Sequence, residues 1–228
     1  MTKTPNPFDC VLFDLDGTLL DTSYDFSYAL NLLCEQHQLT PPSYDRVRNT
    51  VSQGGAAVTA LAFNPNDIEA FEQHRQAFLA LYKQHIHLHT QIFPGLLAGL
   101  VHLAKINMPW GIVTNKPQGL TEHLLSHFSF PSAPKTVICG DTLAVRKPHP
   151  EPMLLAASEC GVDPKHCLYL GDHPRDIEAG MNAGMQTGAV LFGYMPPEKM
   201  TNLDQADYVF RTPFDITQFL TKQANPLL

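Results

Sequence analysis

The stretch Cys10-Val11-Leu12-Phe13-Asp14-Leu15-Asp16-Gly17-Thr18 decides the fold of this chain. Its first four residues form a continuous apolar run, which is typical of a strand buried on both faces of a parallel sheet. Two carboxylates, Asp14 and Asp16, follow that run, and their spacing places them on the same side of the strand. In a dry site they repel each other unless a cation or a proton lies between them. The stretch therefore predicts a strand that carries a metal-assisted nucleophilic site at its carboxyl end.

The bulk composition limits the class of protein. The chain has 228 residues and is 44% hydrophobic, which suffices for one core, or for one core and a small accessory domain. Its net charge of -7 argues against nucleic acid and against an anionic membrane surface as the main partner. No apolar stretch approaches the roughly 20 residues that span a bilayer. The first seven residues lack the apolar core of a signal peptide, and the five cysteines include no Cys-x-x-Cys pair, so we expect a cytoplasmic protein with reduced thiols.

Two kinds of periodicity divide the chain. Residues 22–87 carry apolar positions at three- and four-residue spacing and no strand signal, which predicts helices. After residue 92, short apolar runs alternate with helical patterns, which predicts strands near 110–113, 137–139, 167–170, 187–191 and 208–210, and helices at 94–106, 151–160, 176–182 and the C-terminal end. Repeated strand–helix units favour a doubly wound parallel sheet with helices on both faces. We therefore expect an α/β protein with a Rossmann-like core, residues 1–19 and 90–228, and a small helical cap, residues 20–89, inserted after the first strand.

Polar side chains follow three further strands at their predicted ends. Thr114 and Asn115 follow the second core strand, Lys147 lies in the loop after the third, and Asp172 and Asp176 follow the fourth. Because the carboxyl ends of parallel strands meet at one edge of the sheet, we expect these side chains to converge with the first two acids. A threonine hydroxyl, helix N–H groups and a lysine suit a phosphate, and paired carboxylates suit a hard cation such as Mg²⁺. The pattern therefore predicts a metal-assisted phosphate site.

At these positions the chain resembles the haloacid dehalogenase-like hydrolase superfamily, and the resemblance covers nearly its whole length. The insertion after the first motif is similar to the small cap of the phosphoglycolate phosphatase subgroup. The segments that resemble this subgroup are Thr114-Asn115-Lys116-Pro117, Lys147-Pro148-His149-Pro150-Glu151-Pro152 and Asp172-His173-Pro174-Arg175-Asp176-Ile177-Glu178. Two other segments, Val51-Ser52-Gln53-Gly54-Gly55 and Phe192-Gly193-Tyr194, also resemble the N-acetylmuramic acid 6-phosphate phosphatases, which are close relatives of that subgroup.

The resemblance implies an enzyme that hydrolyses a small phosphate monoester through a phosphoaspartate. In that scheme Asp14 attacks phosphorus, and Asp16 protonates the leaving oxygen and later deprotonates the attacking water. The resemblance also implies that Mg²⁺ is the cofactor. Its ligands are expected to be the carboxylates of Asp14 and Asp172 and the backbone carbonyl of Asp16. Asp176 is expected to act through water or by orienting these ligands.

The same resemblance implies which residues bind the substrate. Thr114, Asn115 and Lys147 are expected around the phosphate. In the predicted cap, the backbone N–H groups of Gly54 and Gly55 suit a carboxylate if they open a helix, although a simple turn between helices is an equal alternative. A carboxylate is present in phosphoglycolate, the first substrate expected, and in the lactyl group of N-acetylmuramic acid 6-phosphate, the alternative. The expected partner is therefore a small phosphate ester that carries a carboxylate.

Other functions remain open at this point. A sugar phosphomutase keeps every motif and differs mainly in its cap. A dehalogenase is disfavoured because Asp16 is present, and a phosphonatase needs a cap lysine, for which only Lys83 is available between residues 20 and 90. The hypothesis from another class is a non-catalytic binding module that has kept the fold. The intact set of nucleophile, acid, lysine and metal carboxylates argues against it.

A few residues near the motifs carry two interpretations. Asn115 and Lys116 either lie near the substrate or support their loop. Arg175 is expected to form an ion pair with Asp176. A solvated hinge is favoured over a zinc site for the histidines at the end of the predicted cap, because only two of them share a helix face. These histidines are His85, His87 and His89.

Overall fold

The computed structural model describes residues 8–223. The signal-peptide prediction concerns residues 1–7 and lies outside the described residues. The strands are β1 (Cys10–Phe13), β2 (Leu20–Asp21), β3 (Gln91–Ile92), β4 (Trp110–Val113), β5 (Thr136–Ile138), β6 (Cys167–Gly171), β7 (Gln186–Val190) and β8 (Tyr208–Phe210). The α-helices are α1 (Ser23–Gln36), α2 (Tyr44–Arg48), α3 (Gly55–Thr59), α4 (Ile68–Gln84), α5 (Leu97–Lys105), α6 (Gln118–Leu125), α7 (Glu151–Cys160), α8 (Pro174–Asn182) and α9 (Pro213–Gln223).

Six of these strands form one parallel sheet in the order β5-β4-β1-β6-β7-β8. Strand β1 lies in the middle, with Phe13 opposite Ile112 of β4 and Leu170 of β6. This register brings the residues that follow the three strands to the same edge of the sheet. The predicted doubly wound α/β fold is confirmed, and its topology favours a ligand site at the carboxyl ends of β1, β4 and β6.

Alternate residues of β1 face opposite sides of the sheet and belong to two hydrophobic clusters. Val11 and Phe13 pack in the cluster that contains side chains of α5 and α9. Cys10 and Leu12 pack in the cluster that contains side chains of α7 and α8. All four are fully buried. Helices on both faces therefore explain why this run has no polar position.

The helices α1–α4 lie between β2 and β3, and we call them the cap helices. Helix α1 packs against α2 and α4, and α4 also packs against α3. Their shared core contains four buried side chains, Phe26, Leu30, Phe78 and Tyr82. The helical prediction for residues 22–87 is confirmed, while the domain boundaries at residues 19–20 and 89–90 stay predictions.

The two segments that join the cap helices to the sheet pair with each other. Strands β2 and β3 form an antiparallel ribbon in which Leu20 lies opposite Ile92 and Asp21 lies opposite Gln91. The sequence analysis missed this ribbon, because strands of two residues are too short to show an alternating pattern. Paired backbone, rather than two separate linkers, therefore connects the cap helices to the core.

Two properties of the helices bear on the sequence predictions. Helix α5 begins at Leu97 and not at Pro94, because Gly95 has a φ of 102°, which an α-helix does not allow. Within residues 8–223, no helix combines the length and the apolar character that a membrane span requires.

Candidate active site

The carboxyl edge of the sheet gathers side chains that the sequence analysis placed at strand ends. Thr114 follows β4, Asp14 follows β1, and Asp172 follows β6. Lys147 reaches this edge from the loop between β5 and α7. Each of these four residues is at most 6% exposed. Three of them are charged residue types, and buried charges require partners. The contacts of these side chains therefore determine which ligands the edge can bind.

Lys147 is the cation of this buried group. Its Nζ donates to Oδ1 of Asp14 at 2.9 Å and to the carbonyl of Val113 at 2.8 Å, and it pairs with Oδ1 of Asp176 at 2.7 Å. It also donates to the hydroxyl of Tyr169 at 2.6 Å. Burial acts to lower the pKa of Lys147, but the two carboxylates outweigh burial and raise this pKa above its ordinary value. The lysine is therefore held as a charged donor beside Asp14.

Three carboxylates crowd together at the same place. One oxygen from each of Asp14, Asp172 and Asp176 lies within 4.8 Å of the others. Burial, followed by repulsion from the other two acids, raises the pKa of Asp172 to about 7. Burial likewise raises the pKa of Asp14 to about 6, against the opposing effect of Lys147. Full ionisation of the cluster is therefore unfavourable, and a divalent cation would relieve the repulsion.

Hydrogen bonding distinguishes Asp172 from Asp176. Oδ2 of Asp172 accepts from the backbone N–H of Tyr194 at 2.6 Å, whereas its buried Oδ1 has no hydrogen-bond partner in the part of the chain that the structure describes. Both oxygens of Asp176 have partners, since Oδ1 contacts Lys147 and Oδ2 accepts from the backbone N–H of the N-cap residue of α8 at 3.0 Å. The open oxygen of Asp172, next to Asp14, fits a hard cation such as Mg²⁺.

Gly17 allows the turn after β1 to pack against this cluster. Its φ is 88°, a conformation that side-chain-bearing residues rarely adopt. A Cβ at this position would lie 2.4 Å from Oδ2 of Asp172. A larger residue would therefore strain the turn and displace the carboxylate.

Asp16 lies near the same edge and belongs to a second ion pair. Its Oδ1 accepts from Nζ of Lys116 at 2.8 Å and from the hydroxyl of Thr22 at 2.7 Å. The sequence analysis left the role of Lys116 open, and the structure shows that its ammonium contacts Asp16. The two partners are 100 residues apart in the chain, so no local pattern reveals the contact. Its position directly after the strand-end residues Thr114 and Asn115 was the available signal.

Thr114 and Asn115 line the same cavity as Lys147 but have different hydrogen bonds. The hydroxyl of Thr114 accepts from the backbone N–H of Lys116 at 3.1 Å, which leaves its own hydrogen for a ligand. Asn115 donates from Nδ2 to the carbonyl of Lys147 at 3.0 Å, and its buried Oδ1 has no hydrogen-bond partner within residues 8–223. Asn115 therefore supports the Lys147 loop, and its contact with substrate stays a prediction.

A cavity of about 710 Å³ lies between this edge and the cap helices. We call its core side the floor, and it consists of Asp14, Asp16, Thr114–Pro117, Leu120, Arg146–Pro148, His173 and Arg175. We call its cap side the roof, and it consists of Phe26, Val51–Ala56, Arg75 and Leu79. The roof contains the predicted substrate residues Gly54 and Gly55, and Gly54 has a φ of 91°. Their contact with a carboxylate stays a prediction.

Polar contacts connect the roof to the core. Nη2 of Arg175 donates to the carbonyl of Ser52, and the Ser52 hydroxyl donates to Oδ2 of Asp172 at 3.2 Å. The predicted ion pair between Arg175 and Asp176 is wrong. Asp176 pairs with Lys147 instead, and the Arg175 guanidinium reaches the cap segment.

The three histidines near the cap boundary contact different partners. His89 lies 2.9 Å from the buried carboxylate of Asp25, His87 stacks on His127, and His85 packs edge-on against an aromatic ring of α1. Within residues 8–223, the aspartate cluster is the only group of three or more side chains with metal-ligand spacing. The described contacts therefore give His85 and His87 aromatic partners and His89 a carboxylate partner.

Comparison with known proteins supplies the family. The model of a family described as haloacid dehalogenase-like hydrolase matches residues 11–190. The chain belongs to this family. A curated relative of the hydrolase is the N-acetylmuramic acid 6-phosphate phosphatase of Pseudomonas aeruginosa, which is 38% identical over 93% of this chain and 94% of its own. Another is the phosphoglycolate phosphatase of Xanthomonas campestris pv. campestris, which is 39% identical over 89% of this chain and 92% of its own.

Solved structures show the same fold. A crystal structure of a predicted phosphoglycolate phosphatase from Haemophilus somnus superposes on this hydrolase with a TM-score of 0.82 and 24% identity, covering 93% of this chain and 98% of that one. A haloacid dehalogenase-like family hydrolase from Streptococcus pneumoniae superposes with a TM-score of 0.80 and 19% identity, covering 93% and 98%. The resemblance inferred from the motifs is therefore confirmed at the level of family and fold.

Proposed function

We propose that this hydrolase is a magnesium-dependent phosphatase that cleaves a small phosphate monoester through a phosphoaspartate at Asp14. The observation that carries the proposal is the setting of Asp14. It is a buried carboxylate on the cavity floor, with Oδ1 held by Lys147 and two further carboxylates beside it. Two relatives that match this chain over most of their length are named as phosphatases, which supports the reaction class.

Asp14 is proposed as the nucleophile. Lys147 holds one of its oxygens, and within residues 8–223 no hydrogen bond is formed to the other. The free oxygen forms the bond to phosphorus as the bond from phosphorus to the leaving oxygen breaks, and water then hydrolyses the acyl phosphate. The ammonium of Lys147 and the hydroxyl of Thr114 offset charge on the phosphoryl oxygens.

Asp16 is proposed as the general acid and base. Its carboxyl lines the cavity floor two residues after the nucleophile. It donates a proton to the leaving oxygen and later accepts one from the water that attacks the phosphoaspartate. Such a group typically contributes about 10²–10⁴-fold to the rate.

Mg²⁺ is proposed to be held by the carboxylates of Asp14 and Asp172 and by the backbone carbonyl of Asp16. Two observations support this assignment. The buried Oδ1 of Asp172 has no hydrogen-bond partner within residues 8–223, and burial raises the pKa of Asp172 to about 7. When bound, the cation offsets the negative charge that gathers where an anionic nucleophile meets an anionic phosphate. Asp176 orients Lys147 from behind these ligands, because both of its oxygens already have protein partners.

The substrate is proposed to carry a carboxylate in addition to its phosphate. Phosphoglycolate and N-acetylmuramic acid 6-phosphate both carry a carboxylate and a phosphate. Each compound is part of the name of a related phosphatase. The cavity of about 710 Å³ falls in the range of roughly 300–1,000 Å³ that encloses drug-sized ligands. The volume favours the sugar phosphate, since phosphoglycolate has a two-carbon skeleton and leaves most of this space empty.

The test is release of inorganic phosphate from a panel of esters, with and without Mg²⁺. The panel contains phosphoglycolate, N-acetylmuramic acid 6-phosphate, several sugar phosphates and 4-nitrophenyl phosphate, and kcat/KM is compared across it. We expect turnover that requires Mg²⁺ and a preference for an ester with a carboxylate. Turnover that depends on a sugar bisphosphate and releases little phosphate would indicate a phosphomutase instead. Absence of turnover on every ester would support a binding module.

The proposed location is the cytoplasm. All five cysteines are free, and four of them are buried. Free thiols fit a reducing compartment, whereas an exported protein is exposed to disulfide formation. Fractionation of cells that express the chain at native level should place it with cytoplasmic markers, and recovery with periplasmic or secreted markers would contradict this location.

A further inference from the structure

We propose that Lys116 is a positioning residue that orients Asp16 for proton transfer when the cap helices cover the floor. The inference rests on the proposed function, because it assumes that Asp16 is the acid and base of that reaction. Lys116 lies in the loop after β4 and is only 7% exposed. A lysine buried this deeply requires partners for its charge, and its partners define its role.

Lys116 holds one carboxylate oxygen of Asp16. Its Nζ donates to Oδ1 at 2.8 Å, and the hydroxyl of Thr22 donates to the same oxygen at 2.7 Å. In the described part of the chain, no hydrogen bond reaches Oδ2 of Asp16. Two donors on one oxygen restrict rotation of the carboxyl group and leave the other oxygen to exchange a proton with the substrate.

The remaining partners of the Lys116 ammonium come from the cap helices. Its ammonium donates to the hydroxyl of Tyr82 in α4 at 2.8 Å. It also lies 4.7 Å from the centre of the Tyr82 ring and 4.9 Å from the centre of the Phe26 ring in α1. Both rings are buried, which strengthens the attraction between the cation and the aromatic faces. The ammonium of Lys116 therefore contacts both Asp16 of the core and two aromatic residues of the cap helices.

This double attachment links the placement of the cap helices to the placement of Asp16. If the cap helices move away from the floor, the ammonium loses the Tyr82 hydroxyl and both aromatic faces together. The lysine is then free to turn toward water, and Asp16 keeps only its bond to Thr22. Asp16 is therefore aligned in the covered cavity, where water is excluded and its proton can pass to the leaving oxygen of the substrate.

Leaving-group dependence separates this role from a structural one. We compare kcat/KM for an alkyl phosphate and for 4-nitrophenyl phosphate, whose good leaving group needs little protonation. Asp16→Ala is the benchmark for loss of the acid. Lys116→Met should lower kcat/KM by roughly 10²-fold for the alkyl ester and by less than about tenfold for the nitrophenyl ester. Lys83→Met, which removes an exposed lysine of α4, is the matched control and should change neither value.

Tyr82→Phe tests the contact with the cap helices without removing an aromatic ring. It should show the same leaving-group pattern at a smaller size, a several-fold loss for the alkyl ester, because one hydrogen bond to the ammonium is lost. Tyr28→Phe on α1 is its control, since the Tyr28 ring makes aromatic contacts and its side chain is 37% exposed. Lys116→Arg, which keeps the charge, should recover part of the activity that Lys116→Met loses.

A double variant decides whether Lys116 acts through Asp16. Adding Lys116→Met to Asp16→Ala should cause little further loss, because the group that the lysine positions is already absent. Two results would overturn the proposal while leaving the phosphatase assignment intact. One is a loss of kcat/KM in the double variant that equals the product of the two single losses, and the other is a loss from Lys116→Met that is equal for both esters. A wild-type protein that hydrolyses none of the esters would overturn the proposed function, and this inference with it.

Discussion

The floor and the roof of the cavity differ in how their polar groups are held. On the floor, two carboxylates are held by buried lysines, the buried Asp14 by Lys147 at 2.9 Å and the partly buried Asp16 by Lys116 at 2.8 Å. On the roof, Arg75 pairs with Glu72 of its own helix at 2.6 Å, and both side chains are at least one-third exposed. The ion pairs therefore fix the positions of the floor carboxylates, as a single reaction requires. The proposed chemistry gives no step to this exposed pair, so we expect this part of the roof to vary more freely and to help select the leaving group.

The largest expected effect is on the floor, from Asp14→Asn. The change removes the attacking oxygen but keeps the size of the side chain, so phosphate release should fall by roughly 10⁴-fold or more with little change in fold. Steady-state turnover of the preferred ester and a thermal melt measure the two properties. Asp163→Asn, at an exposed acid, is the control. Substantial turnover by the Asp14 variant would exclude the covalent route.

The next effect is also on the floor, from Lys147→Met. It removes the donor beside the phosphate site, which should lower kcat by about 10²–10³-fold. It also leaves the carboxylates of Asp14 and Asp176 buried without their cation, which should cost about 3–5 kcal/mol of unfolding free energy. Lys165→Met, in an exposed pair with Asp163, should leave the unfolding free energy nearly unchanged. Equal denaturation midpoints for the two variants would contradict the difference in burial.

A smaller and selective effect is expected on the roof, from Leu79→Trp. Leu79 lines the cavity and a Cβ on Gly55 would lie 2.9 Å from it, so a larger side chain here reduces the space above the floor. We expect kcat/KM for N-acetylmuramic acid 6-phosphate to fall by roughly tenfold or more, and the value for phosphoglycolate to stay within about threefold. Parallel losses for both esters would show that the roof does not select by size.

The smallest effect is on stability and depends on pH. The folded-state pKa of Asp172 is raised to about 7, chiefly by burial, from an ordinary value of 3.8. Stability from this group is therefore fully present below the ordinary value and is lost as the pH rises through about 7. Without metal at about pH 8, Asp172→Asn should raise the Tm by roughly 2–4 °C for each kcal/mol regained, and the gain should vanish toward about pH 4.

Mg²⁺ provides the control for that experiment. At about pH 8 the cation should raise the Tm of the wild-type protein and have little effect on Asp172→Asn, because the variant lacks a ligand and a charge. A gain from Asp172→Asn that is the same at every pH would contradict the assigned cause. A gain from Mg²⁺ that is equal in both proteins would contradict the assigned ligand.

The floor could be predicted from the sequence because short apolar runs show where the buried strands end. The apolar runs before Asp14, Thr114 and Asp172 have the length of buried strands, and parallel strands end at one edge of their sheet. The pairing of Lys116 with Asp16 could not be predicted, since the partners are 100 residues apart and the contact depends on how two loops turn. The contacts of Tyr194 also could not be predicted, since they join distant parts of the chain. Its backbone N–H donates to Asp172, and its hydroxyl accepts from the N–H of Thr22.

Gly54 and Gly55 were predicted near the substrate, but the rest of the roof could not be predicted, for a different reason. Apolar spacing shows which face of α1 and α4 is buried, but it does not show the direction in which a helix pair lies over the sheet. The position of Gly54 above the floor depends on that direction and on the ribbon formed by β2 and β3. The side chains of Phe26, Arg75 and Leu79 could therefore be assigned to the cavity only from the structure.

The most direct test of the central claim is chemical trapping of the covalent intermediate. The protein is mixed with Mg²⁺ and its preferred ester, quenched during turnover and treated with borohydride, which reduces an aspartyl phosphate to homoserine. Peptide mass spectrometry then locates the altered residue. We predict homoserine at position 14, and none there in the Asp14→Asn protein. Rapid turnover with an unaltered Asp14, or alteration at another carboxyl group, would contradict the account.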